Sequence, residues 1–335
     1  MKVHVISIAL TMMLLGGCGG GDGDENTALP PVDPVPPSHS LESVAMVVNA
    51  KSVHDMGYLG TGITVGVVDS GIRATHVTFG SAHLLMSDAW NAVDNNSDVS
   101  DVNGHGTSVA SVIVGSGEVK GVSPGASLLP VRSTREDGLN RWPNIKEAGE
   151  HAADRAGVIN FSLGINPDTE APAWFDALAS KGVIGVIAAG NTGGNNPWSA
   201  EMFNQDGFMD VSASSEGHLL AVGATTTDGT TLATYSNKAG VMKDRYIVAP
   251  GSFLVADSSS DTAQTLAAGT SFATPIASAA AALVWQANPA LTPSEVTGIL
   301  CNTAQDMGEP GNDEIYGCGL LDVGAAVNPA LAAGG

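Results

Sequence analysis

From residue 41 onward, short apolar runs alternate with longer stretches of helical character. Residues 63–68 (ITVGVV) are rich in β-branched side chains and stop at Asp69. Further runs at 127–131, 157–161, 183–188 and 219–222 have the length and composition of strands buried on both faces. Helical stretches at 107–114 and 144–155 fall between several of them. This alternation predicts an α/β fold with a mainly parallel central sheet and helices on both faces. Near the end of the chain, residues 273–286 are rich in alanine and apolar nearly all round, which predicts a buried central helix with Pro275 in its first turn. Asn288-Pro289 closes that helix. Thr292-Pro293-Ser294-Glu295 opens the next, with a Thr cap, a proline at the first helical position and a glutamate at the third.

The pattern before residue 41 is different. Lys2 precedes an apolar run of 11 residues from Val5 to Leu15, and glycines then lead to Cys18. Such a run is too short to span a bilayer as a helix and reads as a secretion signal over residues 1–17. The Leu15-Gly16-Gly17-Cys18 end resembles the lipobox of bacterial lipoproteins, which implies cleavage before Cys18 and lipid attached to that cysteine. The other reading is an ordinary signal peptide with a stray cysteine. Residues 18–40 are glycine- and proline-rich, a composition that makes an extended tether and no core. The organisation expected is therefore signal (1–17), lipidated cysteine and tether (18–40) and folded domain (41–335). The location expected is the bacterial envelope, held by the Cys18 lipid on the outer membrane or cell surface, with Gly19 after the cysteine favouring the outer membrane.

Composition adds one exclusion. Acidic residues outnumber basic ones 34 to 13, for a net charge of −21. Nucleic-acid binding through phosphates needs a Lys/Arg face, so no nucleic-acid partner is expected.

Three short segments carry candidate chemistry. Asp69 sits in VVDSGI at a strand end, His105 in NGHGTSVAS at a helix start, and Ser271 in GTSFATP at the start of the buried helix. A serine hydroxyl is a weak nucleophile until a base removes its proton. Histidine can take that proton and return it, and a carboxylate orients the imidazole and stabilises its charged form. Strand ends and helix starts at one sheet edge would let these three converge.

With VVDSGI, GHGTSVAS, GVSPGASL, INFSLG, AAGN, VGAT, YSN, APG and GTSFATP in order, the chain resembles the subtilisin-like serine peptidases (subtilases) over about residues 41–330. DGTTLATYSNKAG and EIYGCGLLDVGAAV most resemble peptidase domains found as autotransporter passengers, although no barrel sequence follows. The resemblance implies a subtilisin-like three-layer fold and a serine endopeptidase acting on proteins or peptides. Ser271 would be the nucleophile, His105 the general base and acid, and Asp69 the orienting carboxylate. Asn191 would donate to the oxyanion together with the Ser271 N–H. Ser162, Leu163 and Gly164, with Ala188, Ala189 and Gly190, would line the pocket for the side chain before the scissile bond. Backbone near Asp137-Gly138 would pair with substrate as an added strand. His76 is read as structural.

The chain also departs from many secreted subtilases. Only GSGEVK (115–120) stands where they carry a longer calcium loop, and the 22 residues between Cys18 and Leu41 are too few for a folded prodomain. Asp94, Asp98 and Asp101 form an oxygen-rich loop, read as solvated rather than metal-binding. No cofactor and no metal are expected. In an oxidising compartment, Cys301 and Cys318 invite a disulfide, two free buried thiols being the other possibility. The competing function is a catalytically vestigial surface-binding protein on the same scaffold. Acyl transfer to an amine is a third reading.

Overall fold

A parallel sheet forms the middle layer of the computed structural model, which describes residues 41–117, 119–164, 171–197 and 217–333. The expected leader and tether, with Cys18, lie outside the described residues. The strands are β1 (Thr64–Asp69), β2 (His83–Leu84), β3 (Trp90–Asn91), β4 (Ser127–Arg132), β5 (Val158–Phe161), β6 (Ile184–Ala188), β7 (Leu219–Thr225) and β8 (Tyr246–Pro250). They lie in the order β2-β4-β1-β5-β6-β7-β8, with β3 also paired to β4. Every pair in this sheet is parallel. A separate antiparallel hairpin, β9 (Ser252–Ala256) and β10 (Gln264–Ala268), precedes the Ser271 segment.

Helices cover both faces. Val65 and Val67 of β1 share a core cluster with α3 (His105–Val114) and α6 (Thr270–Ala287). Val68 belongs to the cluster on the other face, with α4 (Trp142–Ala153) and α5 (Ala171–Ser180). Burial on both sides explains why these strands read as continuous apolar runs. Two short helices, α1 (Leu41–Val47) and α2 (Ala50–Asp55), precede β1, while α7 (Pro293–Asn302) and α8 (Val323–Ala333) complete the helical layer beside α6. Thr292 caps α7 through the reciprocal bonds with Glu295 that its sequence suggested.

The buried helix differs from the sequence expectation at its start. It begins at Thr270, so Pro275 lies inside it rather than in its first turn. Proline there has no N–H for the carbonyl four residues back, which belongs to Ser271. That carbonyl instead accepts a bond from the Ser162 hydroxyl at 2.8 Å. A fully buried carbonyl left without a donor would cost about 1–3 kcal/mol and this partly buried one less, so Ser162 offsets what Pro275 removes.

The order of connections sets up the site. The chain passes from β1 to β4 on one side and then to β5 on the other side of β1. Such a reversal opens a crevice beyond the carboxyl ends of the strands. Asp69 ends β1, residues 162–164 follow β5, and residues 189–191 follow β6.

Away from the crevice, Cys301 of α7 and Cys318 are joined, with Cα atoms 5.1 Å apart. Closing a loop of this length contributes about 3 kcal/mol on a chain-entropy model. The Cys301→Ser, Cys318→Ser double variant is therefore expected to melt several degrees lower in calorimetry. An unchanged melting temperature would show that the bridge adds nothing.

Candidate active site

The first turn of α3 is held against the turn that leaves β1. Gly106 makes this approach possible, because a Cβ there would lie 2.1 Å from the Gly71 carbonyl oxygen. The free N–H groups of the helix start are taken up locally. His105 N donates to Asn103 Oδ1 at 2.9 Å, and Gly106 N donates to Ser70 Oγ at 2.9 Å. Thr107 N donates to Asp101 Oδ2 at 2.8 Å.

The result brings His105 onto Asp69. His105 Nδ1 donates to Asp69 Oδ1 at 2.8 Å and lies 3.0 Å from Oδ2. Asp69 is buried, and its Oδ1 also accepts from Ser70 N at 2.7 Å. This contact fixes the proton on Nδ1 and leaves Nε2 as the acceptor nitrogen, because a carboxylate can only accept. Burial pushes the His105 imidazole down. The Asp69 charge and hydrogen bond, with the Asp101 charge adding, push it up by more, so it stands above the ordinary value.

Asp101 is a site residue that the sequence reading placed in a solvated loop. Its carboxylate instead accepts from Ser70 Oγ at 2.7 Å, Gly104 N at 2.8 Å and Asn103 N at 3.2 Å, besides Thr107 N and Thr107 Oγ1. One side chain thus ties the segment after Asp69 to the segment before and after His105. An acidic residue a few positions ahead of a helix start, with a threonine in the first turn, was the available signal. Asp94 and Asp98 do not join it. Asp94 lies 3.7 Å from Arg132 and accepts from Asn91, while Asp98 is exposed and bonds Ser100 N. Among the described residues, no group of three or more His, Cys, Asp or Glu side chains could hold a metal.

Ser271 is the second residue of α6, where an N–H has no partner within the helix. Among the described residues neither the Ser271 N–H nor Asn191 Nδ2 is bonded, and the two lie beside the same glycine. A Cβ built on Gly269 would lie 3.4 Å from Asn191 Nδ2 and 3.7 Å from Ser271 N. Both nitrogens therefore border the side of Gly269 on which a side chain would stand. Asn191 is oriented from its other end: Oδ1 accepts from Thr270 N at 2.8 Å and Thr270 Oγ1 at 2.9 Å. Thr270 Oγ1 also accepts from Gly190 N at 3.1 Å. Thr270 is a second residue the sequence reading passed over, since a buried threonine beside the serine looks like helix core.

Asp69 and His105 are thus joined, as are Asn191 and the Ser271 segment. The two halves meet through Phe272, whose ring centroid is 5.6 Å from that of His105. No hydrogen bond joins His105 to Ser271 in this resting arrangement. Such bonds are often long before substrate binds.

The expected pocket segments are more buried than their sequence suggested. Ser162, Leu163, Ala188, Ala189 and Gly190 are all buried, and Leu163 belongs to the core cluster under α4 and α5. Gly164 is partly exposed. The Ser162 hydroxyl is committed to Ser271 O and accepts from Asn160 Nδ2 at 2.9 Å, so it does not face a substrate. The segment at Asp137-Gly138 is a tight turn in which Gly138 N donates to Arg135 O at 2.9 Å. His76 lies apart, with Nε2 donating to Ala263 O and Nδ1 accepting from Thr78 N.

This chain matches the model of the subtilase family, peptidase S8, over residues 60–319. It is 31% identical over 288 residues to subtilisin DY of Bacillus licheniformis, covering 84% of this chain and 96% of that one. To subtilisin BL of Lederbergia lenta it is 32% identical over 285 residues, covering 83% and 96%. Among solved structures, a cold-adapted subtilisin-like serine proteinase superposes with a TM-score of 0.66 at 28% identity, over 79% of this chain and 90% of that one.

The electrostatics can be tested without substrate. Both Asp69→Asn and Asp101→Asn should move the NMR titration midpoint of the His105 imidazole to lower pH, Asp69→Asn by more. An unmoved midpoint in Asp101→Asn would show that its charge does not reach the ring.

Proposed function

The chain belongs to the subtilase family and is a serine endopeptidase, and from that premise we propose that Ser271, His105, Asp69 and Asn191 carry its chemistry. Ser271 Oγ attacks the scissile carbonyl carbon while its proton passes to His105 Nε2. Asp69 holds the imidazole in the tautomer that leaves Nε2 free and stabilises the imidazolium that forms. The oxyanion is bound by Asn191 Nδ2 and the Ser271 N–H. His105 then protonates the leaving amine, and the C–N bond breaks to give the acyl-enzyme. Water attacks the acyl carbon in the second half, with His105 again as base and then as acid to Ser271 Oγ.

The observation that carries this reading is that Asn191 Nδ2 and the Ser271 N–H lie side by side next to Gly269, within 3.4 and 3.7 Å of where its Cβ would be. A vestigial binding scaffold is not favoured, because the chain keeps all four side-chain types that the chemistry needs. The buried state of the pocket segments suggests that residues 162–164 and 188–190 offer a substrate backbone groups and glycine surfaces rather than large side chains. For location, the reading is a leader over 1–17, a lipid on Cys18 and a tether over 18–40 that holds the enzyme on the bacterial envelope.

A fluorophosphonate probe should label folded protein at Ser271, and Ser271→Ala should abolish both label and peptide hydrolysis. Asn191→Ala should lower kcat by roughly 10²–10³ with little change in KM, the size measured for such a donor in this family. Because the base must be neutral and His105 stands above the ordinary 6.5, kcat/KM should fall on acidification with an apparent pKa above that value. Labelling of an unrelated serine, or activity retained in Ser271→Ala, would defeat the assignment. Metabolic labelling with a palmitate analogue should mark the wild type and spare Cys18→Ser.

A further inference from the structure

Asn191 sits in a loop, residues 189–194, that follows β6. Asn237 apart, its backbone bonds that of other described residues only at its ends, through Ala189 N to Val222 O, Gly193 N to Tyr235 O and Lys238 N to Gly194 O. Asn237, more than 40 residues later in the chain, holds that loop on both sides of Asn191. Upstream, its backbone N–H donates to Gly190 O at 2.9 Å and its Nδ2 donates to Ala189 O at 3.1 Å. Downstream, its Oδ1 accepts from Thr192 N at 3.1 Å, Thr192 Oγ1 at 2.9 Å and Gly194 N at 2.9 Å. Asn237 is itself buried and fixed, because its carbonyl accepts from Tyr246 Oη at 2.6 Å and Ser236 Oγ at 3.0 Å.

We propose that Asn237 is a positioning residue for catalysis, setting the loop so that Asn191 Nδ2 meets the oxyanion. This rests on the reading of Asn191 as the oxyanion donor. Among the described residues, no other side chain bonds the loop on both flanks of Asn191. Thr270 grips only Asn191 itself and Gly190 N. Both functions of the amide are used: its oxygen gathers the downstream donors and its nitrogen satisfies an upstream acceptor. Aspartate, serine or alanine cannot do both in the same shape. Oxyanion donors act only when placed correctly, and a misplacement of about 1 Å costs on the order of 10²-fold in rate. A residue that merely closed a turn would have a different signature, lowering stability without a selective loss in the transition state.

The test is a double-mutant cycle on the full chain, read with a chromogenic peptide and with a peptidyl boronic acid that mimics the tetrahedral intermediate. Asn237→Ala should lower kcat about tenfold or more with KM changed less than about twofold. It should weaken the boronic acid by a similar factor. In an Asn191→Ala background, the same substitution should cost less than about a further twofold, because the donor it positions is gone. Full multiplication of the two losses, or a lower melting temperature with kcat intact, would overturn the proposal. An Asn191→Ala enzyme with undiminished kcat would instead remove the oxyanion reading itself, and the proposal with it. Should Asn237→Ala not fold, Thr192→Val removes one bond to Oδ1 at an exposed residue. It should give a smaller kcat loss with the same non-additivity, and no loss would count against the proposal.

Discussion

The close approach of α3 to the turn leaving β1 is the constraint on which the site depends. The 2.8 Å bond between Asp69 and His105 exists only because residue 106 has no side chain to strike the Gly71 carbonyl. Bringing a helix start that near to backbone exposes its free N–H groups to a partly dry environment, where an unpaired one costs about 1–3 kcal/mol. Ser70, Asp101 and Asn103 satisfy those at residues 105–107, and Asp101 does so with a charge. The same carboxylate that makes the approach tolerable also helps raise the imidazole. Structural support and electrostatic tuning of the base are therefore one arrangement.

The nucleophile side solves a different problem. Ser271 must stand at the start of a helix that is otherwise sunk in the core, and small alanine side chains let that helix lie close to the sheet and to α3. Pro275 frees the Ser271 carbonyl, and Ser162 takes it up from the end of β5. Ser162 is tied in turn to Asn160, whose Oδ1 accepts from Ser278 of the same helix at 2.9 Å. The helix start is pinned to the sheet by buried polar bonds, which are directional where the apolar contacts around them are not. Thr270 extends this framework to Asn191, and Asn237 holds the loop beyond it. Rigid support of this kind is what an oxyanion site requires, since its donors act without rearrangement at the moment of reaction.

The acidity of the chain acquires a limited meaning. Carboxylates that matter to the site are few and held by neighbours, as Asp69 and Asp101 are, whereas many others sit at the surface in turns and single ion pairs. Exposed pairs of that sort contribute little to stability. The surplus of negative charge bears on solubility and on which partners are repelled, rather than on the fold.

Much was legible in the sequence because its signals are local. Buried parallel strands leave runs such as ITVGVV, and their predicted and observed limits agree within a few residues. The Thr292–Glu295 cap is a four-residue code, complete within its own segment. Asp69, His105 and Ser271 were legible as chemistry because each sits in a short segment of distinctive composition. What the tertiary structure alone decided were contacts between distant segments. Asp101 looked like one of three solvent-facing acids until the fold brought Ser70 and Thr107 around it. Ser162 looked like pocket wall until Pro275, more than 100 residues away, left a carbonyl for it to satisfy. Asn237 gave no sign of touching the loop that bears Asn191. A sequence states which groups need partners, but three-dimensional closure decides which partners they find, because unpaired buried polar groups are costly and take whatever the fold brings within reach.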